Sequence, residues 1–170
     1  MSAAFRRLAL RPLLPADVPL LAAIFAASIE QLTGEEYDAG QQAAWAALAE
    51  DEDAFGARLG GQLTLVATMD GTPVAFASLR GNNHIDMLYV HPAVARQGVA
   101  SSLVDALEKL ARARGAGQLT VDASDTARPL FDRLGYTAQR RNAVAVGSEW
   151  LGNISMQKQL PAEQAESKIQ

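Results

Sequence analysis

Several stretches of the chain carry apolar residues either as short runs or in alternation with polar ones, which is the pattern of β-strands. Proline, glycine or acidic residues bound them, and Asp70-Gly71 predicts a tight turn between the second and third. The predicted strands are residues 5–12, 62–68, 73–79, 84–90, 118–123, 136–146 and 150–160.

Other stretches repeat apolar residues at helical spacing. Asp17 favours the start of a helix over 18–30, and a second helix is predicted over 40–48. A short helix capped by Ser124 or Asp125 is predicted to end at Gly135. The clearest helix begins after Gly98, and its apolar face is formed by Val99, Leu103, Ala106, Leu107 and Leu110.

The order of these elements predicts a mixed sheet of the α/β (α+β) class with helices on both faces. Three successive strands precede a strand–helix–strand–helix passage, and a hairpin closes the chain. The chain has 170 residues, of which 49% are hydrophobic, enough for one sizeable core. We therefore expect a single domain over 1–160 and a polar tail over 161–170.

Composition argues against several classes of function. The formal net charge of −4 disfavours a nucleic-acid partner, since phosphates call for a basic face. No cysteine is present, so thiolate metal sites and cysteine nucleophiles are excluded, and we expect no bound metal. The longest apolar run, 18–29, is shorter than the roughly 18 residues that span a bilayer. No membrane partner is expected, and a cytoplasmic location is the default.

Residues 88–103 form a strand, a loop and an amphipathic helix in succession. Gly98 lets backbone approach a ligand closely, and small Ala100 and Ser101 leave the first helical turn uncrowded. The free N–H groups of such a helix start carry partial positive charge, to which Arg96 adds a full charge. The segment favours an anion such as a pyrophosphate; the competing interpretation is an ordinary helix entry in which glycine eases a turn.

Val90, Pro92, Gly98 and Ala100 stand at the spacing Val-x-Pro-x-x-(Arg/Gln)-x-x-Gly-x-(Gly/Ala). The segment thereby resembles the central motif of the GNAT superfamily of acetyl-CoA-dependent N-acetyltransferases, with Ala95 departing from the usual Arg or Gln. The resemblance implies acetyl-CoA as cosubstrate and the GNAT fold, a mostly antiparallel sheet of about six or seven strands flanked by about four helices. The residues implied to bind the cofactor are Leu88, Tyr89, Val90, Arg96, Gln97, Gly98, Val99, Ala100, Ser101, Ser124 and Phe131.

Residues 124–136 resemble a second GNAT signature, Asn-x-x-Ala-x-x-Leu-Tyr-x-x-x-Gly-Phe. Ser124 replaces the asparagine beside the pantetheine. Phe131 replaces the tyrosine often assigned as the acid that protonates the departing CoA thiolate. A phenyl ring has no proton to donate, so Ser124, Tyr136 or a bound water is left as the acid, if one is needed.

The strand before the first motif carries the candidates for a general base. By alternation, His84, Asp86, Leu88 and Val90 are expected on one face, which the resemblance implies to look into the acetyl and amine site. His84 aligns with a glutamate base of some relatives, and a neutral imidazole can accept a proton at pH 7. Asp86 is expected to orient His84 or to bind the substrate cation. The competing interpretation makes both residues ordinary polar groups at a strand entry.

The resemblance further implies that a backbone N–H near Leu88 to Val90 binds the thioester oxygen and that the acceptor lies between the first two helices and the last hairpin. Tyr37 and Trp45 on one side, with Glu149 and Trp150 on the other, are expected to form an aromatic cleft with an acid that attracts an amine cation. Phe25, at helical spacing, is expected in the core.

These residues predict an N-acetyltransferase that moves an acetyl group from acetyl-CoA directly to a primary amine of a small molecule or peptide. The alternative is a non-catalytic acyl-CoA-binding or sensing module, motivated by Ala95 and Phe131. Residues 84–90 and 119–124 also look like uncharacterised bacterial acetyltransferases of the YafP-like kind, which leaves the acceptor open. A homodimer through an edge strand near 139–146 is a further open alternative.

Overall fold

A computed structural model describes residues 7–162, which form a seven-stranded sheet in the order β1-β2-β3-β4-β5-β7-β6. Neighbouring strands are antiparallel except β4 and β5, which are parallel. The strands are β1 (Leu8–Pro12), β2 (Leu63–Met69), β3 (Thr72–Arg80), β4 (His84–Val90), β5 (Gln118–Ser124), β6 (Thr137–Val146) and β7 (Glu149–Gln159). The predicted mixed, mostly antiparallel sheet is confirmed. Residues 5–6 of the first predicted strand and 163–170 of the predicted tail lie outside the described residues.

Five α-helices accompany the sheet, one more than the sequence predicted. They are α1 (Val18–Leu32), α2 (Ala39–Ala46), α3 (Glu52–Gly60), α4 (Val99–Ala113) and α5 (Arg128–Arg133). The additional helix is α3. Asp51 caps it by accepting a hydrogen bond from the Ala54 N–H (3.0 Å), and Phe55 and Leu59, four residues apart, are its buried side chains. Two apolar residues in so short a segment were too weak a pattern to predict it.

Each face of the sheet carries its own apolar cluster. On one face α4 buries Val99, Leu103 and Leu107 against β3, β4 and β5. On the other face α1 and α3 cover the sheet around Phe76, and Phe25 is 2% exposed there, so its predicted place in the core is confirmed. β4 and β5 lie between these two layers, and the functional residues discussed below lie around them.

Residues 15–32, which include α1, are long and apolar enough to cross a membrane by length and composition, with a mean hydropathy of 1.2 over 18 residues. In the described structure, however, Leu21, Ile24, Phe25 and Ile29 of α1 are at most 4% exposed and pack in the second cluster. The apolar face of α1 is therefore that of a core helix in this fold.

Asp17, directly before α1, joins this helix to β1. Its carboxylate accepts two hydrogen bonds from Arg11 (2.7 and 2.8 Å) and one from the Leu14 N–H (2.8 Å). The Arg11 hydrogen bond is the main cause that lowers the pKa of Asp17. We expect Asp17→Ala to lower the free energy of unfolding by roughly 2 kcal/mol, since it leaves the Arg11 fork and a backbone donor without their acceptor.

Urea denaturation of matched variants checks this expectation. Asp105→Ala removes a carboxylate from an exposed i,i+4 pair with Lys109 and should cost less than about 0.5 kcal/mol. Because the pKa of Asp17 is lowered on folding, its contribution is complete above the unfolded-state pKa and is lost as the pH falls through the folded-state pKa. Equal losses for the two variants at pH 7 would contradict the assigned role of Asp17.

Candidate active site

The parallel pairing of β4 with β5 ends almost as soon as it begins. The paired residues are His84 with Thr120 and Ile85 with Val121, after which the two strands separate. The opening between them is called the β4–β5 cleft here. It is lined by Tyr37, Trp45, Leu48, Ile85, Asp86, Met87, Leu88, Tyr89, Val121, Asp122, Ala123, Ser124, Ala127, Phe131, Val144, Val146, Leu151, Gly152 and Asn153.

The separation leaves one edge of β4 without a strand neighbour. The N–H of His91 donates to the Val74 carbonyl of β3 (2.8 Å), and antiparallel residues face their partner strand alternately. Tyr89 therefore directs its N–H towards β3, whereas Leu88 and Val90 direct theirs towards the cleft. Two backbone donors thus point to the opening, in the segment where an oxygen-binding N–H was expected.

An irregularity at Asp86 overturns the expectation that His84, Asp86, Leu88 and Val90 share a face. Pairing with β3 passes from Leu79–Ile85 to Ser78–Met87, so Asp86 is an extra residue and the alternation reverses. Leu88 and Val90 consequently pack in the α4 cluster. His84 and Asp86 lie on the side of α1 and α3.

Asp86 is fully engaged by its neighbours. Arg58 donates to both carboxylate oxygens (2.8 and 3.0 Å), Gln62 donates to Oδ2 (2.8 Å), and the Arg80 guanidinium lies 3.6 Å from Oδ1. The side chain is 6% exposed. Although burial opposes ionisation, these donors together lower the pKa of Asp86. The carboxylate therefore holds β4 to α3 and has little capacity left to accept a proton.

In the loop from His91 to Gly98 the amides of residues 91 and 93–95 are hydrogen-bonded within the protein, so the candidate donors for a ligand begin at Arg96. Arg96 and Gly98 have left-handed backbone conformations, with φ of 62° and 80°. Ser102 donates to the Gly98 carbonyl (3.1 Å), so by helix geometry the amides of 99–101 precede the first intrahelical bonds of α4. The exposed Arg96 lies beside them, whereas Ala95 offers no side-chain donor. This donor set fits a diphosphate anion such as that of CoA.

The second predicted segment divides between the cleft and the core. Ser124 lines the cleft, and its Oγ accepts the Ala127 N–H (3.1 Å). Phe131 lines it as well and is 1% exposed. Tyr136 does not line the cleft: it is 4% exposed, and its hydroxyl donates to Glu108 of α4 (3.3 Å). Burial and the Glu108 carboxylate raise the pKa of Tyr136, so its placement gives no support to a role as catalytic acid.

His84 lies at the paired end of β4 with 17% of its side chain exposed. Its Nδ1 is 2.7 Å from Thr120 Oγ1, and that hydroxyl donates to the Asn83 carbonyl (3.3 Å). The tautomer that satisfies both bonds carries its proton on Nδ1 and leaves Nε2 as an acceptor, 3.9 Å from Asp122 Oδ2. Burial, followed by Arg80, lowers the pKa of His84 below 6.5. The His84 ring is therefore neutral and has a free lone pair on Nε2.

Asp122 of β5 is a cleft residue that sequence reasoning missed. Its side chain is 48% exposed, and its Oδ1 accepts a hydrogen bond from Ser155 (2.7 Å). The signal that could have found it is the alternation of β5, in which Leu119, Val121 and Ala123 are buried. Residues 120, 122 and 124 consequently lie on the other face of the sheet.

An aromatic wall closes the other side of the cleft. The Tyr37 hydroxyl donates to the Gly152 carbonyl (2.6 Å) and accepts the Asp125 N–H (2.9 Å). The Trp45 indole donates to the Tyr89 hydroxyl (3.2 Å), and burial raises the pKa of Tyr89 to about 12. Both tyrosines are therefore neutral and fixed in orientation. Tyr37 and Trp45 line the cleft, and their role in binding an acceptor stays a prediction.

Glu149 and Trp150 lie outside the cleft. Trp150 is 65% exposed, and its backbone carbonyl accepts a hydrogen bond from the Gln41 side chain (2.8 Å). The Glu149 carboxylate lies beside Gly40 at the start of α2. Neither placement supports the aromatic and acidic roles expected of them. Within residues 7–162 no group of three or more His, Asp or Glu side chains is arranged to hold a metal ion.

Comparisons with known proteins agree with the motifs and the fold. A family model described as an acetyltransferase (GNAT) domain matches residues 30–160. The uncharacterized N-acetyltransferase YafP of Escherichia coli K12 is 36% identical over 142 residues, which cover 84% of this chain and 89% of YafP.

Solved structures extend the agreement. A GCN5-related N-acetyltransferase of Rhodopseudomonas palustris is 57% identical to this chain and superposes on it with a TM-score of 0.89. The match covers 94% of this chain and 99% of the Rhodopseudomonas chain. The PaiA N-acetyltransferase of Thermoplasma acidophilum, solved in complex with coenzyme A, shares the fold with a TM-score of 0.75 at 16% identity. The match covers 90% of this chain and 99% of the PaiA chain. The chain therefore belongs to the GNAT family of N-acetyltransferases.

Proposed function

We propose that this GNAT family member transfers the acetyl group of acetyl-CoA directly to a primary amine of a small molecule or peptide. One observation carries the proposal: β4, whose edge beyond Ile85 has no strand partner, leads through residues 91–98 directly into α4, and the amides of 99–101 precede the first intrahelical bonds of that helix. The loop has the donors for a diphosphate. The cleft, which polar and apolar residues line together, is the proposed place of the thioester and of the amine.

The roles proposed in catalysis follow from these placements. The Leu88 and Val90 amides are the donors for the thioester oxygen, where negative charge develops during attack. His84 accepts the proton of the amine through Nε2. Ser124, which lines the cleft, or a water protonates the departing thiolate, in place of the tyrosine that Phe131 replaces.

A non-catalytic acyl-CoA-binding module stays as the second candidate. Ala95 and Phe131 both remove side chains that the GNAT motifs carry. The backbone donors of the loop do not depend on either side chain, which is why we favour the enzyme. A cytoplasmic location and a homodimer through β6, an edge strand of the sheet, stay predictions from the sequence.

Calorimetric titration with acetyl-CoA, followed by thiol release against a broad panel of amines, tests the proposal. We expect binding together with release of free CoA, and the chain itself adds no thiol because it has no cysteine. Binding without release from any amine would favour the binding module. Absence of binding would overturn the cofactor assignment.

Substitution of Gly98 tests whether the loop backbone binds the cofactor. We expect Gly98→Ala to weaken acetyl-CoA binding about tenfold or more, because a methyl group stands where the ligand approaches and the backbone there has positive φ. Gly115→Ala is the matched control. Its φ is 88°, a Cβ there also meets nothing within 4 Å, and it follows the far end of α4. Equal affinities of the two variants would contradict the loop assignment.

His84 should appear in the pH profile of kcat/KM. Because its pKa is lowered, the base stays neutral and active below pH 6.5, and activity falls only as the pH drops through the folded-state pKa. His84→Gln should lower kcat/KM by about 10²-fold or more and abolish that acidic limb.

Arg80→Gln provides the directional test. Arg80 is a cation that lowers the pKa of His84, so its removal should move the acidic limb to higher pH. An unchanged limb in both variants would show that His84 is not the base.

A further inference from the structure

Two carboxylates line the β4–β5 cleft, and they differ in what neutralises them. Asp86 is bound by Arg58 and approached by Arg80, and is 6% exposed. Asp122 is 48% exposed, and its one ionisable neighbour within 4.0 Å in the described chain is His84. Since His84 is neutral, Asp122 presents a negative charge to the cleft that no cation in contact with it cancels.

The side chain that hydrogen-bonds Asp122 is uncharged, and the Arg140 cation reaches it only through two uncharged side chains. Ser155 donates to its Oδ1, and Asn142 donates to Ser155 (2.7 Å) and to Asn153 (3.0 Å). Arg140 pairs with Ser155 across the strands, but its guanidinium donates to the Asn142 side chain (2.9 Å). Oδ2 of Asp122, on the side of His84, is thus left for a ligand.

Four apolar side chains form one part of the cleft wall, while the charged Arg141 beside Gly152 is already paired with Asp125 (3.0 Å). Leu48 is 48% exposed and Val144 41% exposed, and Val146 and Leu151 line the cleft beside them. Exposed apolar side chains around a concave site favour an apolar ligand surface. A second charged group on an acceptor would find no partner among these residues.

We propose that Asp122 binds the ammonium group of the acceptor beside His84, and that the acceptor is a primary amine on an apolar alkyl or aryl body. This proposal rests on the proposed transfer reaction.

In that reaction the ammonium gives one proton to His84 Nε2. The freed lone pair attacks the thioester carbonyl carbon, and the C–S bond breaks with its electron pair going to sulfur. The second proton lost by nitrogen goes to that thiolate, directly or through water. Asp122 stabilises the imidazolium until it releases its proton to solvent.

Binding of isosteric pairs to the CoA-loaded protein tests this assignment without turnover. The probes are hexylamine against 1-hexanol and 2-phenylethylamine against 2-phenylethanol, at pH 7. Each amine should bind wild-type protein about tenfold more tightly than its alcohol, and Asp122→Asn should reduce the preference to about twofold or less. Asp105→Asn, which removes an exposed carboxylate on α4, should leave the preference and the acetyl-CoA affinity unchanged.

A second readout follows the His84 ring by NMR, with His91→Gln used to assign the two histidines. His84 is faced by Arg80, which lowers its pKa, and by Asp122 and Asp86, which raise it. Asp122→Asn should therefore move the His84 titration to lower pH. A wild-type protein without amine preference, or a variant that keeps that preference, would overturn the inference.

Transfer assays separate this inference from the proposed function. If wild type and Asp122→Asn acetylate the amines with equal kcat/KM, the transferase proposal stands and the ammonium site falls. Suppose instead that the variant loses the binding preference but that none of the amines makes the wild-type protein release CoA. The ammonium site then stands and the transferase proposal fails.

Discussion

The early end of parallel pairing between β4 and β5 is the constraint on which the site depends. Backbone donors and acceptors must be satisfied, so the edge of β4 beyond Ile85 needs water or a ligand where a strand would otherwise lie. The same gap connects the two faces of the sheet. Leu88 and Phe131 reach it from the α4 side, and Tyr37 and Trp45 reach it from the other. The proposed function uses this connection, with the thioester on one side of the sheet and the amine on the other.

Polar contacts fix the walls on both sides of the cleft. The carboxylate of Asp86, the extra residue of β4, is bound by Arg58 of α3 and by Gln62, which follows that helix. Tyr37 bridges the carbonyl of Gly152 in β7 and the amide that follows β5. Because these bonds are formed within the described chain alone, the cleft is present before any ligand arrives. Such preorganisation lowers the cost of binding.

The sequence predicted features with local signals and missed those set by tertiary packing. The loop motif of residues 90–100 is contiguous, so its place before α4 followed directly. The prediction that residues 84, 86, 88 and 90 share one face was wrong, because one extra residue reverses the alternation of side chains. The sequence of so short a strand gives no sign of a bulge. Tyr136 matched a motif position, yet its hydroxyl is directed by Glu108, which is distant in sequence. Asp122 escaped notice because its closeness to His84 depends on the pairing of β4 with β5, which joins residues distant in sequence.

The two walls of the cleft come from different parts of the chain. The proposed donor side is one contiguous stretch from β4 into α4, whereas the proposed acceptor side combines α2, the segment before it and the β6–β7 hairpin. Replacing Leu48 or Val144 reshapes the acceptor side without altering the loop that follows β4. Under the proposed function, the choice of acceptor and the use of the acyl donor are therefore separable. A few substitutions at the rim of the cleft can therefore change which amine is accepted, in engineering or in evolution, while the acetyl-CoA site stays the same.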